Sequence, residues 1–252
     1  MIKPKATVII NTVNEVPERL IKAISGYKAQ IGVKMQVLVS TVENDPSILT
    51  AKMMGVECIV NLQAGIYEQL NNAMHYIKHD WWSYASGNDY PEPNKTIDEI
   101  NCCINNNALI CYSNFIKHRV DEQQVEFPKF PDYNYSQHLV GNFVNDCSIM
   151  HISLVEKYAP FRFHLWHNDS FWDFWLRVAE GEGEKAFCHN NERSWTYNIY
   201  TTSKHIVRQS NPSELQEYAE VRKRMIESHL QKKYDPKNNM PFHVKCEIPL
   251  AE

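Results

Sequence analysis

The first 90 residues alternate between two hydrophobic patterns. Continuous apolar runs predict strands buried on both faces, and stretches with apolar residues every three or four positions predict helices. The strands are predicted at residues 6–10, 35–39, 58–61 and 81–85, and the helices at residues 17–28, 47–54 and 66–78. This order predicts a largely parallel sheet in an α/β fold, with helices on both faces.

The pattern is less regular after residue 92. Helices are predicted at residues 93–106 and 169–180, strands at 108–113 and 147–152, and a long loop at 121–137. No Gly/Ser/Pro-rich linker divides the chain, so we expect one large domain over residues 1–210, with halves at 1–95 and 96–210. An amphipathic, charged helix at 214–233 and an extended tail form a C-terminal extension over 211–252.

Composition narrows the functional classes. The 252 residues carry a formal net charge of −4 and the sequence pI is about 6.3, which argues against general nucleic-acid binding. No apolar run approaches the roughly 20 residues that span a bilayer, and the chain begins with a strand-like segment instead of a signal peptide. The seven cysteines include adjacent Cys102 and Cys103 but no Cys-x-x-Cys spacing, so we expect reduced thiols in a cytoplasmic protein.

Polar side chains follow each of the four predicted strands of the first half. The four clusters are Asn11–Glu15, Ser40–Asp45, Gln63–Tyr67 and Ser86–Asp89. Because ligands of parallel α/β sheets bind beyond the carboxyl ends of the strands, this convergence indicates a binding edge. The alternative for each cluster taken singly is an ordinary polar loop.

Two segments of the first half resemble the inverting family 2 glycosyltransferases. Residues 65–73 read G-I-Y-E-Q-L-N-N-A, where family members often read G-I-Y-D-A-M-N-K-G, and residues 8–15 read V-I-I-N-T-V-N-E, similar to the family's first strand. The similarity covers residues 6–95 and, more loosely, 142–203. It implies the GT-A fold, a Rossmann-like, mostly parallel central sheet flanked by helices. It also implies a nucleoside diphosphate sugar, UDP-type favoured, in the first half and the acceptor in the second.

The same resemblance implies a divalent cation, Mn²⁺ or Mg²⁺, at the turn after the fourth strand. Family members carry two or three aspartates there, whereas Asp89 is the only carboxylate in this turn and Asn88 offers a neutral oxygen. A hard cation on carboxylate oxygens would offset the negative charge of a diphosphate leaving group. The alternative is that Asp89 only caps a helix or stabilises the turn.

The donor is expected at the remaining strand ends. Where the family has an aspartate beside the base, this chain has Ser40 and Thr41, whose uncharged hydroxyls form weaker hydrogen bonds. Structural roles in the turns and at the start of the third helix compete with each of these assignments. The predicted donor-binding residues are Thr12, Asn14, Glu15, Ser40, Thr41, Gly65, Tyr67, Asn71 and Asn88.

An inverting transfer needs a carboxylate that takes the proton of the acceptor hydroxyl. The family places it at the start of a helix reading roughly E-D-Y-D-L-W-L-R-L, which residues 167–178 resemble. A two-residue insertion puts Asp169 at the base position, with Asp173, one turn further on, as the alternative. Asp169 could instead act as a helix N-cap, and Arg177 is expected to form a structural ion pair.

Other polar residues give weaker matches. His164 and His167 lack a convincing third ligand, so we expect partly buried or loop histidines and no metal site. Residues 195–200 resemble the family's loop after the base helix, in which a histidine often completes the metal or phosphate site. The nearest matches here are Tyr200 and His205.

The resulting hypothesis is an inverting, metal-assisted glycosyltransferase that acts on a saccharide or glycolipid acceptor in glycan synthesis. A sugar nucleotidyltransferase is disfavoured because residues 11–15 contain neither glycine nor a basic residue. A non-catalytic GT-A relative that binds glycans or partners is the alternative, and the single carboxylate of the turn fits it. The C-terminal helix suits a solvated face or a homodimer contact, with peripheral membrane association as the alternative.

Overall fold

The computed structural model describes residues 3–166, 169–202 and 211–231, which are arranged around one nine-stranded sheet. The strands are β1 (Lys5–Asn11), β2 (Lys34–Val42), β3 (Glu57–Asn61), β4 (Trp81–Ser86), β5 (Tyr90–Pro91), β6 (Ile110–Arg119), β7 (Gln124–Glu126), β8 (Ile149–His151) and β9 (Phe187–Ile199). The helices are α1 (Pro17–Lys28), α2 (Ser47–Met53), α3 (Ile66–Ala73), α4 (Lys95–Asn106), α5 (Tyr135–Val140), α6 (Ser153–Tyr158), α7 (Phe163–Trp166), α8 (Ser170–Glu182) and α9 (Pro212–Leu230).

The strand order is β3-β2-β1-β4-β8-β6-β9-β5, and β7 pairs with β6. The first four strands are parallel, and β8 is antiparallel to both of its neighbours, β4 and β6. Because β8 is antiparallel to both β4 and β6, β6 runs in the same direction as β4. Strand β9 is in turn parallel to β6. The carboxyl ends of β1–β4, β6 and β9 therefore point the same way, and the amino end of β8 joins them.

Alternation along β1 explains how helices cover both faces of the sheet. Val8 and Ile10 pack with residues of α1 and α2, whereas Ile9 points to the other face and joins the cluster that contains α3 and α8. All three side chains are fully buried, as the continuous apolar run predicts. The predicted mostly parallel sheet flanked by helices is confirmed.

The predicted helices and strands match the observed ones more closely in the first half of the chain than in the second. All four strands and three helices of the first half are present. α2 ends one residue earlier than predicted, and α3 ends five residues earlier because a 3₁₀ turn (Met74–Tyr76) follows it. In the second half β6 extends to Arg119, and β7 and the start of α5 lie inside the predicted loop. Residues 195–200, matched to a loop, instead lie mostly within β9, which long-range pairing with β6 holds extended.

The C-terminal helix α9 packs on α8 through a small apolar cluster. Met225 is fully buried there beside Trp172 and Leu176. Within the described residues, no helix combines the length and apolar character needed to cross a bilayer.

Candidate active site

The ends of β1 and β4 approach each other very closely. The Gly87 N–H donates to the Asn11 carbonyl at 3.2 Å, and a Cβ atom on Gly87 would lie 2.9 Å from the Thr12 hydroxyl oxygen. Only glycine fits this approach without displacing Thr12. The predicted convergence of the first and fourth polar clusters is therefore a tight backbone contact.

Asp89 lies in this turn and is almost fully buried, with 4% exposure. Its Oδ1 accepts a 3.0 Å hydrogen bond from the backbone N–H of Asn198 at the end of β9. Burial raises the pKa of Asp89 well above its ordinary value; the Asn198 hydrogen bond opposes this, and the charges of Glu15 and Asp146 add to it. Asp89 is thus a carboxylate surrounded by further acidic groups.

Asn88 fixes the same turn to β9. Its Nδ2 donates to the Asn198 carbonyl at 3.2 Å, and the Asn198 Nδ2 donates to the Asn88 carbonyl at 2.8 Å. The Asn88 Oδ1 accepts from the Ser86 hydroxyl at 2.7 Å, which leaves a second lone pair for a ligand. Asn198, which the sequence did not single out, therefore positions both Asn88 and Asp89.

Asp146 is a further acidic residue at this edge that sequence reasoning missed. It precedes β8, and because β8 runs opposite to its neighbours, the start of β8 lies at the edge where the parallel strands end. Burial raises the pKa of Asp146 to about 7, and the charge of Asp169 adds to the shift. The sequence shows Asp146 just before the apolar run that forms β8. It does not show that β8 runs antiparallel to its neighbours, which places Asp146 at this edge.

The end of β2 is largely committed to internal hydrogen bonds. The Ser40 hydroxyl donates to the Gln69 carbonyl at 3.2 Å and accepts from the Asn61 Nδ2 at 3.0 Å. The Thr41 side chain is fully buried, and its hydroxyl has no hydrogen-bond partner among the described residues. The geometry thus gives Ser40 a structural role and leaves Thr41 with unused hydrogen-bonding capacity.

The loop after β1 is held by an aspartate of the second polar cluster. Asn14 has a left-handed backbone with φ 53°, and its N–H donates to the Asp45 Oδ2 at 2.6 Å. Asp45 also accepts from the Ser47 N–H at the start of α2. Glu15 accepts from the Val16 N–H at 3.0 Å and pairs with Arg19 at 3.4 Å. Asp45 thereby shapes the loop that presents Thr12 and Glu15.

Three family-matched residues lie on α3 or just before it. The side-chain amide of Asn71 donates to the Phe161 carbonyl at 3.0 Å and accepts from the Phe161 N–H at 2.8 Å, which ties α3 to the chain before α7. Tyr67 is buried and its ring lies edge-on to Phe171, 5.6 Å away. Gly65 precedes the helix with an extended backbone. These contacts match the packing alternative for Tyr67 and Asn71.

Asp169 immediately precedes α8 and is bonded to α9. Its carboxylate accepts from the Tyr218 hydroxyl at 2.5 Å and from Arg222 at 2.9 Å and 3.1 Å. It is 5% exposed and forms no N-cap hydrogen bond, so the N-cap alternative does not describe it. Asp169 is instead an oriented carboxylate beneath the C-terminal helix.

Asp173 forms the centre of a buried ionic network. It accepts from Arg162, from Arg177 at 2.9 Å and from His229 at 3.2 Å, and its side chain is fully buried. Burial alone would raise the pKa of Asp173, but the Arg177 charge and the His229 and Arg162 contacts hold it well below the ordinary value. Both Asp173 oxygens are thus engaged by these partners, and the ion pair expected of Arg177 is present.

The other residues that the sequence singled out lie in different places. His164 lies on the four-residue helix α7. The Tyr200 ring lies under the Arg19 guanidinium at 3.5 Å, and burial and the charges of Glu15 and Asp89 raise its pKa. His167 and His205 lie outside the described residues, as do Lys232 and the tail that follows it. The structure therefore places Thr12 beside the turn that carries Asn88 and Asp89, with Asn198 as support. The charges of Glu15 and Asp146 act on Asp89, and that of Asp169 acts on Asp146.

Solved structures share this arrangement of elements. S. aureus TarS 1–349 in complex with UDP-GlcNAc aligns with a TM-score of 0.66 at 13% identity, over 90% of this chain and 66% of that one. Glucosyl-3-phosphoglycerate synthase from Mycobacterium tuberculosis aligns in complex with UDP (TM-score 0.61, 12% identity, 90% and 80% coverage). The same enzyme with Mn²⁺, UDP and phosphoglyceric acid also aligns (TM-score 0.58, 11% identity, 91% and 78% coverage).

No family model matches the chain, and no curated protein matches it in sequence. At identities of 11–13%, the likeness to the solved structures concerns the fold. The chain has the GT-A fold, as the resemblance in sequence implied, and it spans just under two thirds of the TarS fragment.

Proposed function

We propose that this protein is a glycosyltransferase that moves a sugar from a UDP-type donor to an acceptor hydroxyl with the help of a divalent cation. One observation carries the proposal: Asp89 and Asp146, from opposite halves of the chain, both lie at the carboxyl edge of a GT-A sheet, and the charge of Asp146 adds to the raised pKa of Asp89. The further charges that raise the pKa values of Asp89 and Asp146, those of Glu15 and Asp169, are negative as well. Such a site favours a bound cation.

The donor set fits Mn²⁺ or Mg²⁺. Asp89 and Asp146 supply carboxylate oxygens and Asn88 a neutral oxygen, the ligands that hard cations prefer, with substrate phosphates completing the shell. The bound cation would offset the charge that develops on the departing diphosphate. The tie from Asn198 to Asp89 orients the carboxylate before any ligand arrives.

For the donor, Thr12 is the strongest of the predicted contacts, because it lies against Gly87, next to the proposed metal-binding turn. Thr41 remains a proposed contact, although its hydroxyl, which lacks a partner among the described residues, is buried. Ser40, Tyr67 and Asn71 support the shape of the pocket, because their polar or aromatic groups are engaged internally. Asn14, Glu15 and Gly65 complete the proposed donor-side surface.

For the acceptor, we assign proton removal to Asp169, which implies inversion at the anomeric carbon. Tyr218 and Arg222 hold its carboxylate in one orientation, as a third group orients the base in other enzymes. Asp146 is the competing candidate if Asp89 and Asn88 hold the cation without it, because its pKa of about 7, which a bound cation would lower, suits a general base. The acceptor class is a saccharide or glycolipid in cytoplasmic glycan synthesis.

Donor binding is tested by thermal unfolding of the full chain with UDP, GDP and dTDP, each with and without Mn²⁺. A ligand at about 100 times its Kd adds roughly 2.7 kcal/mol of stability. We expect a Mn²⁺-dependent shift with UDP that is lost in Asp89→Asn and kept in Asp132→Asn, whose carboxylate is 95% exposed. No shift with any nucleotide in the unaltered protein would refute the proposal.

Turnover separates the enzyme from a binding-only relative. UDP release from UDP-sugars is measured with a panel of saccharide acceptors for the unaltered protein, Asp169→Asn and Asp146→Asn. A loss of about 100-fold or more in one variant, with UDP binding retained, identifies the base. UDP binding without turnover on any acceptor would favour the non-catalytic alternative, which the bonded state of Asp169 also fits.

A further inference from the structure

Cysteines from three separate elements converge on one face of the sheet. Cys111 of β6 and Cys188 of β9 are direct cross-strand partners, and Cys102 and Cys103 lie on α4, which packs over them. The Sγ atoms of Cys102, Cys111 and Cys188 all lie within 4.8 Å of one another. Within the described residues, no other group of three or more potential metal ligands is this close.

The fourth thiol lies beside the first three. The Cys103 Sγ is 3.9 Å from the Cys188 Sγ. In a tetrahedral zinc site with Zn–S bonds of about 2.3 Å, neighbouring sulfurs are about 3.8 Å apart. The observed spacing therefore approaches that of a thiolate metal site, and it is nearly twice the roughly 2.05 Å of a disulfide bond.

The surroundings of the cluster are those of a structural site. Cys103, Cys111 and Cys188 are buried among apolar residues, whereas Cys102 is partly exposed and gives an ion a route from solvent. The Asn106 amide donates towards the Cys102 Sγ at 3.7 Å, a contact that orients the sulfur and stabilises negative charge on it.

We propose that Cys102, Cys111 and Cys188 bind a thiophilic metal ion, zinc in the first place, with Cys103 as the nearest fourth ligand. Sulfur ligands select soft or borderline ions, so this site is chemically distinct from the oxygen-lined edge around Asp89. The ion would tie α4 to β6 and β9, and β9 carries Asn198, the residue that positions Asp89, next to its last residue. The site does not depend on the proposed transferase activity.

Metal content of the full-length protein tests the site. The protein is expressed with added zinc, purified without chelator and analysed for zinc, copper and iron by mass spectrometry. We expect about one zinc per chain in the unaltered protein and in Cys58→Ser, whose cysteine lies on β3, and loss of zinc in Cys188→Ser. One copper per chain would support the thiolate site with the other soft ion.

Because Cys188→Ser removes a buried group, Cys102→Ser provides a second variant at the partly exposed position, with its fold checked by circular dichroism. Cobalt substitution gives an independent readout, since tetrahedral thiolate coordination produces sulfur-to-cobalt charge transfer and intense visible bands. These bands should be absent from a folded Cys102→Ser protein. Metal-free protein whose thiols all react after denaturation, or a disulfide among these cysteines under non-reducing conditions, would overturn the proposal.

Discussion

The two halves of the molecule hold their polar groups by different means. At the carboxyl ends of β1–β3, the bonds are mostly between neutral groups and the backbone, as in Ser40 with Gln69 and Asn71 with Phe161. Around α8 the bonds are ionic, with Asp173 fully buried against two arginines and a histidine.

This difference predicts different responses to mutation. A neutral hydrogen bond contributes about 1 kcal/mol, because folding exchanges it for a bond to water. A buried ionic network depends on every member, because removing one leaves the others charged without compensation. Each single substitution on the donor side should therefore cost little stability, whereas the loss of any one member of the α8 network should cost much more.

The largest effect is expected for Asp173→Asn, which removes the central carboxylate of the ionic network around α8. The variant keeps the side-chain shape but leaves Arg177 without its anionic partner inside the protein. We expect a loss of about 3–5 kcal/mol in the free energy of unfolding, measured by urea denaturation. Glu227→Gln is the matched control, because its 3.9 Å pair with Lys223 is exposed and should contribute less than about 1 kcal/mol. Equal losses in both variants would contradict the distinction.

A smaller effect is expected at the donor edge from Gly87→Ala. The new Cβ atom would lie 2.9 Å from the Thr12 hydroxyl and 3.1 Å from the Thr12 Cβ, so the end of β1 must shift. We expect about 1–3 kcal/mol of destabilisation by thermal unfolding, with weaker UDP binding. Gly141→Ala is the control, since a Cβ there meets nothing within 4 Å. Similar stabilities for the two variants would show that Thr12 yields without cost.

The smallest effect is a pH dependence confined to the α8–α9 contact. Burial acts to lower the pKa of His229, but bonds to Asp173 and Glu180 raise it above its ordinary value. A raised folded-state pKa gives stability that is present below about pH 6.5 and is lost as the pH rises through the folded value. We expect a loss of about 1 kcal/mol between pH 6 and 9 that His229→Gln lacks. Parallel pH profiles for the two proteins would contradict this.

The two halves also differ in how much of their structure can be predicted from the sequence. The elements of the donor half depend on local periodicity, and their order alone places Thr12, Ser40 and Asp89 at one edge. The positions of Asp146, Asn198 and Cys188 depend on the reversal of β8 and on the pairing of β6 with β9, which no local pattern encodes. Residues 190–193 of β9 are polar, so the strand carries little hydrophobic signal there.

The roles of individual carboxylates were equally hard to predict. Asp169 and Asp173 lie in the same predicted helix. In the structure Asp169, just before α8, bonds to Arg222 of α9, whereas Asp173, within α8, is buried and contacts His229 of α9. The partners of Asp169 lie 49 and 53 positions away, and Asp173 combines nearby Arg162 and Arg177 with His229, 56 positions away.

The insertion of β8 between β4 and β6 also affects the order in which the protein can be completed during synthesis. The parallel unit β3-β2-β1-β4 can form early, but the free edge of β4 has no partner until β8 is made. Synthesis of the intervening stretch of about 60 residues, from Ser86 to Ile149, takes roughly 3–12 s at typical rates of about 5–20 residues per second. During that interval an unpaired edge rich in apolar residues is a template for intermolecular pairing. The β4 edge is therefore an aggregation risk of the nascent chain that pairing with β8 removes.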